Sequence, residues 1–248
     1  MEAKSKVLWQ RCQVIRVEGG VVLFEALVQS RTGRSLLDMY QRLLRHFGPQ
    51  DWWPGETTLE IMVGAVLTQN TNWTNVEKAI RNLKDHDLLS LDALNTISPY
   101  ALAREIRPSG YYNIKARRLK NLIRFLFEQY GGSLERLSGE DTGDLREHLL
   151  AVNGIGPETA DSILLYSLQR PVFVVDAYTH RILVRHGMAE EQMEYHELQE
   201  LFMDNLPEEA GLFNEFHALI VMTGKQYCKK RPLCHVCPLG HWEKIPGF

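Results

Sequence analysis

Residues 149–181 read LLAVNGIGPETADSILLYSLQRPVFVVDAYTHR. The stretch carries an apolar helical end into a Gly-Ile-Gly turn (Gly154, Ile155, Gly156), opens a second helix at Pro157, and closes an apolar run on Asp176. Glycines at two of the three turn positions let backbone N–H groups face outward, unblocked by side chains. Pro157 suits the first helical position, where its missing N–H leaves no hydrogen bond unmade. Such a turn feeding a helix N-terminus is a ready anion site, and the anion it fits is a phosphate. Taken alone, Gly-x-Gly before a helix is equally a plain turn, so the residues around it must decide.

Outward from this stretch the pattern stays helical. Ser35 is placed to cap LLDMYQRLLRHF, which Gly48 ends. Residues 57–68 read as a buried helix, and residues 73–83 as an amphipathic one with Val76, Ile80 and Leu83 on one face. Segments 90–106, 113–130 and 141–151 continue in the same style. Residues 12–28 hold two β-branched runs about Gly19 and Gly20, which would suit a hairpin or short extension. At 248 residues, with 44% hydrophobic and 24% charged side chains, the chain can bury a core and split it between two lobes. No apolar run reaches the roughly 18–20 residues of a membrane span, and the start, MEAKSKVLWQRCQ, lacks the apolar core of a signal peptide. A cytoplasmic protein is expected.

Net charge is −3, from 28 basic and 31 acidic residues, and gives no global signature of nucleic-acid binding. The charges are unevenly placed, however. Arg107, Lys115, Arg117, Arg118, Lys120 and Arg124 form one basic stretch, and Lys225, Lys229, Lys230 and Arg231 another. Local patches suffice for phosphate contacts, because salt screens charge beyond roughly 8–10 Å.

With the hairpin and Val175-Asp176-Ala177-Tyr178-Thr179-His180-Arg181, the chain resembles the endonuclease III superfamily of helix-hairpin-helix DNA glycosylases. The resemblance implies an all-α, two-lobed fold with the DNA cleft between lobes. A helical barrel would span residues 57–170, and residues 1–56 and 171–248 would form the other lobe. Asp176 inherits the catalytic role, and Gly154, Ile155 and Gly156 the phosphate contact. Where lyase members carry a Schiff-base lysine this chain has Glu158, and a carboxylate cannot form that adduct. A monofunctional enzyme using water is therefore expected.

Residues 51–73 sharpen the likeness. Trp52-Trp53-Pro54, then Gly64-Ala65-Val66-Leu67-Thr68-Gln69-Asn70-Thr71, then Trp73, resemble the 3-methyladenine DNA glycosylase branch. By that resemblance Trp52 and Trp73 sandwich a flipped base, Trp53 and Pro54 shape the pocket, and Lys225 belongs to it. Asn70, with Gln69 next, would fill the gap left in the duplex, where extruding a base costs a few kcal/mol. N3- or N7-alkylated purines carry a positive charge, so indole faces attract them by roughly 0.5–2 kcal/mol. The charged base leaves without an acid, and a carboxylate suffices to stabilise the sugar cation and orient water. Alternatives are a glycosylase for mismatched thymine or uracil, and a non-catalytic lesion binder. The expected partner is damaged double-stranded DNA, met by a monomer with no membrane attachment.

Cys228, Cys234 and Cys237 lie in CKKRPLCHVCPL, close to the superfamily's four-cysteine 4Fe–4S loop. The first spacing is one residue short, and Glu243 stands where the fourth cysteine would fall. The fourth ligand could be His241, Glu243, His235 or Cys12; zinc, or no metal, is the alternative.

Overall fold

The structure is a computed structural model describing residues 28–243. It is about 65% helical, with no strand among the described residues. The chain divides into two compact units, one formed by residues 51–176 and the other by the residues before and after them.

In the flanking unit, α1 (Arg31–Phe47) packs on α11 (Tyr195–Met203) and α12 (Ala210–Gln226), and α12 on α10 (Ala177–Arg185). Leu36, Met39 and Leu43 of α1 are wholly buried, the spacing expected of one helical face. Ser30, not Ser35, caps this helix: its side chain accepts from Gly33 N at 2.9 Å. Ser35 is fully buried inside the helix. The apolar run begins late because Gly33 packs close against Val28 and Asn205, so the first turn carries no large side chain. Gly48, at φ 73°, ends the helix in the left-handed region. The extension expected over residues 12–28 lies outside the described residues except for Val28.

The central unit is built around α2 (Thr58–Leu67), whose residues from Leu59 to Leu67 are all buried. Around it lie α3 (Trp73–Asp85), α4 (Leu91–Thr96), α5 (Pro99–Glu105), α6 (Tyr112–Tyr130), α7 (Leu134–Ser138), α8 (Thr142–Ala151) and α9 (Pro157–Ser162). Segment 90–106, expected as one helical stretch, is two helices. Pro99 forces the residue before it out of the α region, and Ser98, extended at ψ 149°, instead caps α5 through a bond from Ala101 N.

The helix opened by Pro157 widens into a π-helical turn at Ile163–Ser167. Residues 51–56 and 171–176, expected in the other lobe, belong to this unit. Aromatic packing accounts for the first of these segments: buried Trp53 lies against Trp73 and Tyr166 of the same unit.

Candidate active site

The hairpin is held from two sides. Asp161 of α9 is completely buried and takes a two-pronged bond from Arg146 of α8, at 2.7 and 3.1 Å, tying the two helices together. From α6, Asn121 Nδ2 donates to Asn153 O at 2.9 Å. Arg118 packs against Gly154 so closely that a Cβ there would overlap its side chain. Gly154 has φ 95°, and so needs glycine on two counts. Gly156 does not: its φ is −98°, and a Cβ would meet nothing within 4 Å. Buried Ile155 anchors the turn from below, leaving Gly156 as an open stretch of backbone at the mouth of α9.

Three tryptophans and a tyrosine form one aromatic set. Trp53 is buried at its centre, edge-on to Trp73 at 4.9 Å and to Trp52 at 5.9 Å, and stacked on Tyr166 at 4.8 Å and 29°. Trp52 and Trp73 are only half-buried, so the two residues expected to grip a base keep accessible surface. Gly64 makes room for the set, since a Cβ on it would lie 3.3 Å from Trp53 Nε1 and 3.6 Å from Trp73. Trp73 is steadied by its indole N–H, which donates to Glu77 at 2.9 Å. Pro54 is exposed beside Trp53.

Tyr166 was not anticipated from the sequence. The signal was a lone hydroxyl-bearing aromatic in the run ILLYS, which reads as ordinary core. Its hydroxyl is raised above the usual phenol range by burial first, then by the charges of Asp176 and Glu158. Tyr166, Asp176 and Glu158 therefore share one neighbourhood. Glu158 is raised to about 7, mainly because protein crowds its carboxyl and secondly because Asp176 is close. Its side chain nevertheless keeps a water-accessible face.

The turn after α2 supplies the other expected pair. Gln69 Nε2 donates to Thr159 Oγ1 at 2.7 Å, so this amide is tied to the helix that carries Glu158. Asn70 is exposed at φ 53°, a left-handed conformation that asparagine tolerates better than most residues.

The basic stretch on α6 is only partly a surface patch. Lys115 is buried, with Nζ donating to Leu67 O at 2.8 Å and Ser109 O at 2.6 Å. Lys120 donates to Leu94 O, Asn95 O and Ile97 O at 2.6–2.9 Å. Two lysines expected at phosphates thus bind carbonyls left over at helix ends, which need donors when buried. Arg107, Arg117 and Arg124 remain exposed.

In the flanking unit Lys225 is exposed near the end of α12. Beyond it the cysteine loop is fastened by two arginines of α10. Arg181 Nε donates to Cys228 O at 2.7 Å, while Arg185 Nη1 reaches Lys229 O at 2.8 Å and Cys228 Sγ at 3.1 Å. Lys229, Lys230 and Arg231 project from this braced backbone and are exposed. Cys228, Cys234 and Cys237 line a common cavity of about 430 Å³, which His186, His241 and Glu243 also line. His235 is not among its walls, and Cys12 lies outside the described residues. Burial raises the Cys237 thiol. Among the described residues no three His, Cys, Asp or Glu side chains converge tightly enough to hold a single metal ion.

Residues 63–208 match the HhH-GPD superfamily of base excision DNA repair proteins, and the chain belongs to that family. It is thus a DNA glycosylase of base excision repair, an enzyme class that hydrolyses the N-glycosidic bond. A Methanocaldococcus jannaschii protein named "Putative DNA repair glycosylase" is 50% identical over 202 residues, covering 81% of this chain and 92% of its own. Endonuclease III of Thermotoga maritima is 32% identical over 178 residues, covering 71% and 78%. Among solved structures, the H. pylori 3-methyladenine DNA glycosylase MagIII bound to 1,N6-ethenoadenine is 32% identical. It has a TM-score of 0.66 and covers 80% of this chain and 98% of that one. Endonuclease III trapped on DNA shares the fold at a TM-score of 0.72 and 21% identity, over 84% and 94%. No helix among the described residues is long and apolar enough to cross a membrane.

Proposed function

We propose that the protein is a monofunctional glycosylase that removes alkylated purines, 3-methyladenine foremost, from double-stranded DNA. The observation that carries this reading is the aromatic set beside two carboxylates, with no lysine at position 158. Trp52 and Trp73 would receive the cationic base on their accessible faces, with Trp53 as floor. Delocalised positive charge on the base makes indole faces better partners than they are for a neutral base. The same charge weakens the glycosidic bond, so Asp176 need only stabilise the developing sugar cation and take a proton from water. Asn70, exposed and in a left-handed turn, would fill the vacated space in the duplex, with Gln69 held back on Thr159. Gly154, Ile155 and Gly156 would seat a phosphate, and Lys225 a further polar group of the substrate. The likeness to a 3-methyladenine glycosylase at 32% identity supports this choice of base.

The cysteine loop fits a 4Fe–4S centre held by Cys228, Cys234 and Cys237, with His241 or Glu243 available as fourth ligand. When bound, the centre would supply rigidity. Arg181 and Arg185 already fasten the loop that presents Lys229, Lys230 and Arg231, and the centre would complete that bracing.

The test is a panel of duplexes bearing single damaged bases, scored for base release with and without alkali. Release of 3-methyladenine or 7-methylguanine with intact strands until alkali is expected. Asp176→Asn should retain DNA binding and lose roughly 10²–10⁴ in rate. Preferential release of mismatched thymine or uracil, or an adduct trapped by borohydride, would overturn the reading. Iron and acid-labile sulfide in anaerobically prepared protein are expected; one equivalent of zinc, or no metal, would overturn the cluster.

A further inference from the structure

We infer that Gln69 and Thr159 are positioning residues. Their hydrogen bond locks the turn that presents Asn70 onto the helix behind the hairpin, so that pushing a base out of duplex DNA depends on one buried hydroxyl. The inference rests on the site reading given above, in which Asn70 fills the vacated space and residues 154–156 seat a phosphate.

Gln69 and Asn70 are neighbouring amides that the sequence does not tell apart, and the fold gives them opposite tasks. Asn70 is exposed, on left-handed backbone at φ 53°. Gln69 is half-buried and turns back, with Nε2 donating to Thr159 Oγ1 at 2.7 Å. Thr159 is only 3% exposed, so its hydroxyl meets Gln69 away from competing water. It is the third residue of α9, a helix that packs on α2 and that Asp161 fastens to Arg146.

The turn needs such a hold. Its own bonds are local, from Thr68 Oγ1 to Gly64 O at 2.7 Å and from Thr71 N to Thr68 O at 3.2 Å. Lys115 steadies the end of α2 through Leu67 O at 2.8 Å. These contacts shape the turn without tying it to the element that grips DNA. A side chain entering the duplex works against pairing and stacking, and the reaction falls on the backbone that carries it. If that backbone gives, the side chain recoils and the base returns to the stack. The bond from Gln69 to Thr159 passes the load into α9 and its hairpin, held on a phosphate. Grip and push then act between parts of one rigid body, and a turn ordered beforehand spends no binding energy on being ordered.

The experiment sets 7-methylguanine in two contexts, paired with cytosine and inside an unpaired bubble, under single-turnover conditions. Thr159→Val keeps the side chain's shape and removes the acceptor. It should slow release from the paired site about 3- to 10-fold, the scale of one neutral hydrogen bond. From the bubble it should slow release less than about twofold, because little extrusion remains to be done there. Gln69→Met should match the paired-site loss, and Thr159→Ser, which restores the hydroxyl, should recover it. In an Asn70→Ala background Thr159→Val should bring no further loss, since the bond acts through Asn70. Equal losses in the two contexts, or losses that add in the double variant, would overturn the inference and leave the bond as a support of the fold. Should Thr159→Val fail to fold, Gln69→Met on its half-buried side chain carries the same comparison. Asn70→Ala as fast as wild type would sink the insertion role and the inference together while leaving the alkylpurine reading in place.

A second measurement requires no excised base. Affinity for a duplex bearing a tetrahydrofuran abasic analogue, divided by affinity for the undamaged duplex, should fall about 3- to 10-fold in Thr159→Val. If 7-methylguanine is released in neither context, the alkylpurine reading fails and this ratio decides alone. An unchanged ratio overturns the inference.

Discussion

Lys115 offers a quantitative check on how the central unit is built. Its ammonium is buried to 1% exposure with two carbonyl partners and no carboxylate, and burial, reinforced by Arg118, lowers its pKa from 10.5 to about 8. In the unfolded chain the amine keeps its proton up to about 10.5. Between these values the unfolded state binds more protons, so this group makes the protein more stable as pH rises through the window. At about 1.36 kcal/mol per unit, the shift corresponds to about 3 kcal/mol, of which about 2–3 kcal/mol is recovered between pH 7 and pH 10. Lys115→Met fills the site without a titrating group, at the expense of two charge-assisted bonds worth about 1.5–3 kcal/mol each. Urea unfolding of both proteins at pH 7, 8, 9 and 10 isolates the effect, because every other titrating group is common to the pair. The stability difference, wild type minus variant, should grow by about 2–3 kcal/mol from pH 7 to pH 10 with unchanged m-values. Two parallel stability–pH curves would refute the reasoning and place the lysine in a wetter setting than its burial indicates.

Two further outcomes concern the hairpin. Asp161→Ala should destabilise the protein by about 3 kcal/mol in urea or thermal unfolding, the lower end for a broken buried pair, because Arg146 is 29% exposed and can turn to water. Gly154→Ala should cost more than about 1 kcal/mol, given φ 95° and the encroachment on Arg118. Gly156→Ala should cost less than about 1 kcal/mol, since it only exchanges one helix cap for a poorer one. That second substitution should instead lower DNA affinity in a salt-dependent titration; equal stability losses at both glycines would contradict the distinction between them.

Much of the architecture was legible because helical periodicity and punctuation are local. Pro157, Gly48 and the apolar faces of α1 and α3 lie where the pattern put them, and Trp52 and Trp73, singled out by motif, both lie against Trp53. What escaped was decided by convergence of distant backbone. A lysine in a basic run reads as surface until the end of another helix brings three carbonyls around Nζ, as happens at Lys120; Lys115 repeats the lesson. Ser35 looked like a cap because the apolar run follows it, yet a tight contact at Gly33 let the helix begin a turn earlier. Arg181 and Arg185 bind loop carbonyls some forty-five residues away in sequence, a distance at which spacing carries no information. Tyr166 escaped because its value lies in what stacks on it.

The π-helical turn at Ile163–Ser167 makes chain length itself a component of the site. A regular helix advances about 100° per residue, and a π turn accommodates one residue more than an α turn. Shortening this segment by one residue would restore the ordinary winding and swing Tyr166 by about a quarter of a revolution, away from the ring of Trp53. The same slip would alter how much chain remains to reach Asp176. Substitutions along residues 163–175 can be weighed one at a time by size and polarity. A single deletion there cannot, because it displaces Tyr166 and the carboxylate together, and lineages of this enzyme should vary in residue type within the segment far more freely than in residue number.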